Sequence, residues 1–260
     1  MAGASITQTQ YKKLASLVYR ESGIDLKESK LELLRARMGK RMRRTETATP
    51  SDYIRLIDED KTEFMRFIDV ITTNHTFFYR ENKHCEYIIR NLSREKPLKI
   101  WSAASSSGEE AYSLAVQLLE NRFQFRIYGS DLSDSMLAIA RKGIYTAAKM
   151  KSVPVQTLHT YFQKGRGKWQ DHVKIKPSVQ SLVTFEKYNL ISDTPKETFD
   201  IIFCRNVMIY FDHPTRQKVV TNLCSALKTG GYFFVGLSES LQGLDHGLTT
   251  VMPSGYRKKK

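Results

Sequence analysis

Two carboxylates are spaced as a nucleoside site spaces them. Glu110 follows the small-residue run Ser102 to Gly108, and Asp131 closes an apolar run 23 residues after Gly108. An acidic side chain at the end of a second strand, about 20 residues past a first strand-to-helix loop, is placed to accept hydrogen bonds from ribose hydroxyls. The loop itself sits where an open α/β sheet binds ligands, at the carboxyl end of a strand and against a helix N-terminus. An ordinary turn, with Asp131 capping the next helix, accounts for the same residues without a ligand. The six histidines are scattered with no HExxH, and Cys85, Cys204 and Cys224 form no CxxC pair. Neither a metal centre nor a histidine or cysteine catalyst is expected.

The elements that must position these groups are legible around them. Leu98, Ile100 and Trp101 form a short strand, and Ala111, Leu114, Ala115, Leu118 and Leu119 follow at helical spacing. Phe125–Gly129 reads as a second strand, and Ser133 as the cap of a helix through Met136, Leu137, Ile139 and Ala140. Residues 144–185 interrupt the alternation: Leu158–Phe162 reads as helix, and Val173–Ile175 and Leu182–Phe185 as short strands of a small inserted β lobe, placed at about residues 157–186. Tyr188, Asn189 and Leu190 end a further strand. Phe199–Phe203, apolar but for Asp200, reads as a buried strand running into Cys204-Arg-Asn-Val-Met-Ile-Tyr-Phe211. Residues 215–227 read as a helix ended by Gly230-Gly231, followed by strands at Tyr232–Val235 and Leu248–Met252. The basic tail from Tyr256 reads as frayed. The pattern predicts a mostly parallel sheet with helices on both faces.

Residues 8–70 read as helices instead. The first ends at Gly23. Lys27–Arg44 carries eight basic and two acidic residues, and Arg37, Lys40, Arg41 and Arg44 fall at i, i+3, i+4 and i+7, one face of a helix. Leu31, Leu34, Met38 and Met42 form the neighbouring apolar stripe. A third helix is capped by Ser51 or Asp52, and a fourth carries Phe64, Phe67, Ile68 and Ile71. The domains are therefore a helical one over residues 1–71 and an α/β one over 72–260. Between them Thr72–Arg80, TTNHTFFYR, breaks the helical pattern.

A dinucleotide needs a three-glycine loop for close approach of its pyrophosphate. This loop has one glycine, and Glu110 would repel a pyrophosphate. S-adenosylmethionine has no phosphate, and its sulfonium and amino groups suit an acidic neighbour. The residues thus favour a methyltransferase.

The segments TTNHTFFYRE, WSAASSSGEEAYS, SDLS, YNLI and FCRNVMIYF, in this order, resemble the chemotaxis receptor methyltransferases, the CheR family. The resemblance spans residues 10 to 256. It implies a Rossmann-like S-adenosylmethionine-dependent methyltransferase domain behind a small all-helical docking domain. The implied reaction is methyl transfer to glutamate side chains of receptors, giving methyl esters and S-adenosylhomocysteine. By the same resemblance, Asn74, Thr76 and Arg80 reach the methionine end of the cofactor. Gly108 and Glu110 belong to its loop, Asp131 binds the ribose, Asn189 and Leu190 flank the adenine, and Arg205 and Asn206 complete the site. Arg80 and Tyr210 match the pair nearest the transferred methyl. Arg37, Lys40, Arg41, Arg43 and Arg44 match a receptor-docking surface. The run Ser105-Ser106-Ser107, where many relatives have a threonine before the glycine, and Ala111, where they commonly have proline, depart from the pattern.

A net charge of +14 fits an anionic partner. The implied one is the helical, acidic cytoplasmic region of a chemotaxis receptor. Nucleic acid is disfavoured, because Arg205-Asn206-Val207 replaces the Pro-Pro-aromatic or Pro-Cys motif of base methyltransferases. A cofactor-sensing module that had lost activity would show broken cofactor positions, and none is broken. No apolar run approaches a membrane span, and the N-terminus lacks a signal-peptide core. A cytoplasmic monomer without membrane insertion is expected.

Overall fold

Thr7 starts the first helix with a reciprocal cap. Its hydroxyl accepts from Gln10 N–H at 3.2 Å, and the Gln10 side chain accepts from Thr7 N–H at 2.9 Å. Helix α1 (Gln8–Ser22) then runs to Gly23, whose φ of 72° provides the left-handed stop. Helices α2 (Leu31–Thr45), α3 (Pro50–Glu59) and α4 (Lys61–Ile71) follow. The cap of α3 is Thr49, with Pro50 in the first turn, and not Ser51 or Asp52. Proline at that position loses no needed N–H. In a computed structural model that describes residues 6–72 and 74–259, the chain forms two units. One is Met1–Thr73 with Tyr210–Thr215, and the other is Asn74–Ile209 with Arg216–Lys260.

The first unit packs Tyr11, Leu14 and Val18 of α1, Leu34, Met38 and Met42 of α2, Tyr53, Ile54 and Ile57 of α3 and Phe67, Ile68 and Ile71 of α4 into one core. The returning segment joins it: Ile24 bridges Phe211, Asp25 N–H donates to the Tyr210 carbonyl at 2.9 Å, and Tyr19 Oη donates to Asp212 at 2.9 Å.

This core corrects the expected basic stripe. Arg41 is only 6% exposed. Its guanidinium grips Glu63 with two hydrogen bonds, Nε to Oε1 at 2.9 Å and Nη2 to Oε2 at 2.5 Å, and Tyr53 Oη adds a third at 2.8 Å. Arg37 is half-buried and donates to the carbonyls of Ile71 and Thr72. Burial lowers its pKa. The basic side chains that α2 exposes are Lys40, Arg43 and Arg44.

The second unit begins with helix α5 (Lys83–Asn91) and continues as β1 (Leu98–Ala103), α6 (Glu109–Glu120), β2 (Phe125–Asp131) and α7 (Asp134–Lys142). Next come β3 (Ile144–Thr146), α8 (Val155–Tyr161), β4 (Phe162–Lys164), β5 (His172–Ile175), α9 (Pro177–Gln180) and β6 (Val183–Lys187). The chain closes with β7 (Phe199–Cys204), α10 (His213–Ala226), β8 (Leu227–Val235), β9 (Leu248–Met252) and β10 (Gly255–Lys258). The main sheet has the order β6-β2-β1-β7-β8-β10-β9. Its first five strands are parallel, and β10 runs antiparallel to both neighbours. β1 and β7 lie centrally and read as apolar runs because both faces are covered. Trp101, 1% exposed, anchors one face against Tyr188 and Phe199, and its Nε1 donates to Ser130 Oγ at 2.8 Å.

Three expectations are corrected here. The small lobe is the antiparallel sheet β3-β5-β4, which starts at Ile144. Of Leu182–Phe185, Val183–Phe185 belongs instead to β6, paired in parallel with β2 in the main sheet. Gly230-Gly231 lies inside β8 rather than ending α10. The pairing of β7 with β8 shifts register there, and a Cβ on Gly231 would come 2.8 Å from the Lys228 carbonyl. The tail is no fray: Tyr256 is buried, and Lys258 Nζ donates to the carbonyls of Cys224 and Leu227 at 2.7 and 2.8 Å.

Candidate active site

Four parallel strands end side by side, and each delivers part of the cluster. β6 leads to Asn189 and Leu190, β2 ends at Asp131, β1 feeds the loop Ala104–Gly108, and β7 runs into Arg205 and Asn206. Parallel pairing is what brings residues so far apart in sequence to one edge.

The loop is built around backbone strain and one glycine. Ala104 and Ser106 adopt φ of 60° and 50°, at about 1–2 kcal/mol each for a residue with a Cβ. Asp131 offsets this by accepting Ser106 N–H at 2.8 Å, and it also accepts Ser133 N–H at 2.9 Å. Ser133 caps α7 by accepting from Met136 N–H. Asp131 therefore organises the loop as well as standing at the strand end. Gly108 has φ of 91°, and a Cβ there would meet Ala140 Cβ at 2.9 Å and Phe185 Cζ at 3.0 Å. Packing of α6 on α7 and β6 thus requires a glycine here. Tyr145 and Lys149, from the lobe side, brace the loop through the Ser107 carbonyl and the buried Glu109 carboxylate.

Arg205 is the centre of the charged cluster, with its side chain 4% exposed. Nη1 donates to Glu110 at 3.0 Å, Nη2 to the Arg80 carbonyl at 2.7 Å, and Nε and Nη2 both reach Glu81 Oε2, at 3.3 and 3.0 Å. Glu110 also accepts from Ser102 Oγ at 2.6 Å. Arg80, Glu81, Glu110 and Arg205 line one recess. The Arg80 guanidinium donates to the His75 carbonyl at 2.7 Å and lies 5.6 Å from the Phe77 ring centroid. Asn206, at φ of 59°, is held from two sides. Its side-chain amide donates to Glu81 at 3.0 Å, and its N–H donates to Glu239 at 2.7 Å. Glu239 also accepts from Gly236 and Ile209 N–H groups. Burial nonetheless pushes its carboxyl above the usual range.

The structure thus joins Arg80, Glu110, Arg205 and Asn206 in one network and sets Asp131, Asn189 and Leu190 along the same strand ends. Asn74 and Thr76 lie in the irregular segment leading to Arg80. Tyr210 belongs to the other unit. Sequence reasoning missed Ser102, Glu81 and Glu239. Glu81 directly follows Arg80 in the TTNHTFFYRE run, so adjacency alone pointed to it.

The donor set fits a cationic nucleoside without phosphates. Carboxylates at Glu110 and Asp131 suit a sulfonium or ammonium and a ribose diol. The buried hydroxyls of Ser105 and Ser106 have no hydrogen-bond partner among the described residues. No Gly-rich cradle competes for the loop.

Residues 74–255 match the family described as CheR methyltransferase, SAM binding domain, and residues 9–72 match its all-alpha domain. The chain belongs to the CheR methyltransferase family. Its relatives in that family include the chemotaxis protein methyltransferase 2 of Pseudomonas aeruginosa, 33% identical over 96% of this chain and 93% of that protein. The chemotaxis protein methyltransferase of Escherichia coli is 32% identical over 98% and 93%, and that of Vibrio parahaemolyticus 34% identical over 94% of each. Family membership fixes the α/β unit as an S-adenosylmethionine-dependent methyltransferase domain.

Proposed function

We propose that the strand-end cluster holds S-adenosylmethionine while a glutamate carboxylate of a chemotaxis receptor takes its methyl group. The observation that carries this is the Arg205–Glu110 pair beside Asp131, at the ends of β7, β1 and β2. In this reading Glu110 and Asp131 hold the amino and ribose groups, Asn189 and Leu190 flank the adenine, and Asn74, Thr76 and Arg80 serve the methionine end. Arg205 and Asn206 shape the floor.

When bound, the cofactor supplies an electrophilic methyl group on a sulfonium and leaves as S-adenosylhomocysteine. The acceptor explains why the chain offers no general base. A glutamate carboxylate, with a pKa of about 4.3, is ionised at neutral pH. The chain's task is to align it and to exclude water. Arg80, already tethered to the His75 carbonyl, can orient a carboxylate without neutralising it fully. Too tight an ion pair would stabilise the reactant and slow transfer.

The exposed Lys40, Arg43 and Arg44 of α2 suit an acidic helical receptor surface, with attraction that falls as salt rises. No helix among the described residues is long and apolar enough to cross a membrane. Cys85, Cys204 and Cys224 are all free. We place the protein in the cytoplasm, as a monomer acting on the cytoplasmic part of the receptor. The reading is tested with methyl-labelled S-adenosylmethionine and receptor cytoplasmic fragments. Base-labile label on the fragment is expected, as an ester requires, and stable label on nucleic acid would overturn it.

A further inference from the structure

We propose that Glu81 is a positioning residue for the methyl transfer: it sets the guanidinium of Arg205 so that Glu110 keeps acceptor capacity for the cofactor. The inference rests on the strand-end reading above and adds a residue to it.

An arginine fork is planar, so fixing two of its nitrogens fixes the third. Glu81 Oε2 takes both Nε and Nη2 of Arg205, at 3.3 and 3.0 Å. Only Nη1 is left for Glu110, at 3.0 Å. Without the Glu81 carboxylate, Arg205 is free to turn its fork onto Glu110. Carboxylate and guanidinium pair best through two parallel bonds, and such a pair would add a bond to Oε1 and take acceptor capacity that the cofactor needs. Ser102 Oγ already holds Oε1 at 2.6 Å and Arg205 Nη1 holds Oε2 at 3.0 Å, so each oxygen has one acceptor site left.

Glu81 reaches further. Its other oxygen accepts from the Asn206 amide at 3.0 Å, and Oε2 also accepts from Leu237 N–H at 3.0 Å. One carboxylate therefore ties the segment before α5, the end of β7 and the end of β8. Glu81 makes these bonds from φ of 51°, beside Tyr79 at 60°. Two strained non-glycine residues flanking Arg80 are what a turn shaped for a site shows. Burial raises the Glu81 carboxyl, but the Asn206 amide and the Arg205 guanidinium outweigh it and hold the pKa below the usual value. The carboxylate is thus charged at neutral pH, as the clamp requires.

The test uses the full chain carrying Glu81→Gln or Glu110→Gln, with S-adenosylhomocysteine as the calorimetric probe, rates on a receptor fragment, and a thermal melt. Glu81→Gln keeps the shape and one acceptor but loses the charged clamp. Expected are a Kd for S-adenosylhomocysteine and a KM for S-adenosylmethionine raised at least tenfold, with a smaller change in kcat. In the double variant Glu81→Gln with Glu110→Gln, the losses are expected to be less than multiplicative, because both act on one contact. If Glu81→Gln lowers the melting temperature yet leaves Kd within twofold while Glu110→Gln raises it tenfold, Glu81 is merely structural and the proposal fails. If neither changes Kd, the strand-end reading fails with it. Should Glu81→Gln not fold, Arg205→Lys decides. A lysine cannot bridge two carboxylates as a fork, so the same tenfold loss is expected, and unchanged binding overturns the proposal.

Discussion

Arg41 stands three residues after Met38 and seven after Leu34, on the buried stripe of α2 as well as on its basic one. Sequence arithmetic alone allowed either, and its partner Glu63 lies 22 residues on in α4. Hydrogen bonds to that carboxylate raise the Arg41 pKa against the opposing effect of burial. Arg41→Ala would leave the Glu63 carboxylate buried without its counter-charge, and a loss of about 3–5 kcal/mol is expected in urea unfolding. His84 makes a second residue-scale prediction. It is fully buried, with its ring 5.1 Å from that of Phe234. Burial, and then the charge of Arg205, push its pKa down to about 4. The unfolded chain takes up that proton near pH 6.5. The stability from keeping His84 neutral is therefore complete above pH 6.5 and is lost as pH falls towards 4, by about 3 kcal/mol. In His84→Leu the melting temperature should fall less steeply over that window, and an unchanged slope would refute this. Glu81 and Glu239 escaped the sequence because a carboxylate in a loop has no period to betray it. Asp131 was found because its distance from Gly108 is itself a signal.

Elements were legible where they carry their own punctuation. Gly23 stops α1, Ser133 caps α7, and the apolar runs of β1, β2 and β7 announce central strands. Elements that depend on distant pairing were not. β10 reads as a basic tail because Arg257 and Lys258 look solvated, yet the strand fills the slot between β8 and β9. Lysine at an otherwise strand-like end is a common guard of sheet edges, but here Lys258 spans to the carbonyls at the end of α10. Ending the chain before Gly255 would strip β8 and β9 of their shared partner and expose Phe234. Such a truncation is expected to lose cooperative melting by circular dichroism, whereas a frayed tail would leave the transition unmoved. Leu182–Phe185 reads as a lobe strand for a related reason. β6 is short and half-exposed, and only its pairing with β2 tells it from a lobe strand.

At the scale of the molecule, the excess of 41 basic over 27 acidic residues becomes a rate effect, because the partner is expected to be acidic. Reversing Lys40, Arg43 and Arg44 to Glu is expected to raise the KM for a receptor fragment at least tenfold and to flatten its salt dependence. Binding of S-adenosylhomocysteine should stay the same, since the cofactor residues lie in the other unit. Loss of cofactor binding would count against the docking role. The first unit has a further property: it is written in two places. Its helices come from the start of the chain, but Tyr210–Thr215, which bridges Ile24 and receives Tyr19, arrives after most of the catalytic unit has been spelled out. During synthesis the leading helices must therefore wait, incomplete, while the ribosome makes well over a hundred residues of the enzyme. A gene fusion cut after Thr73 would carry only part of the helical unit to a new host. A working exchange of docking specificity between relatives has to move the six-residue segment too, so the two units are inherited as a pair.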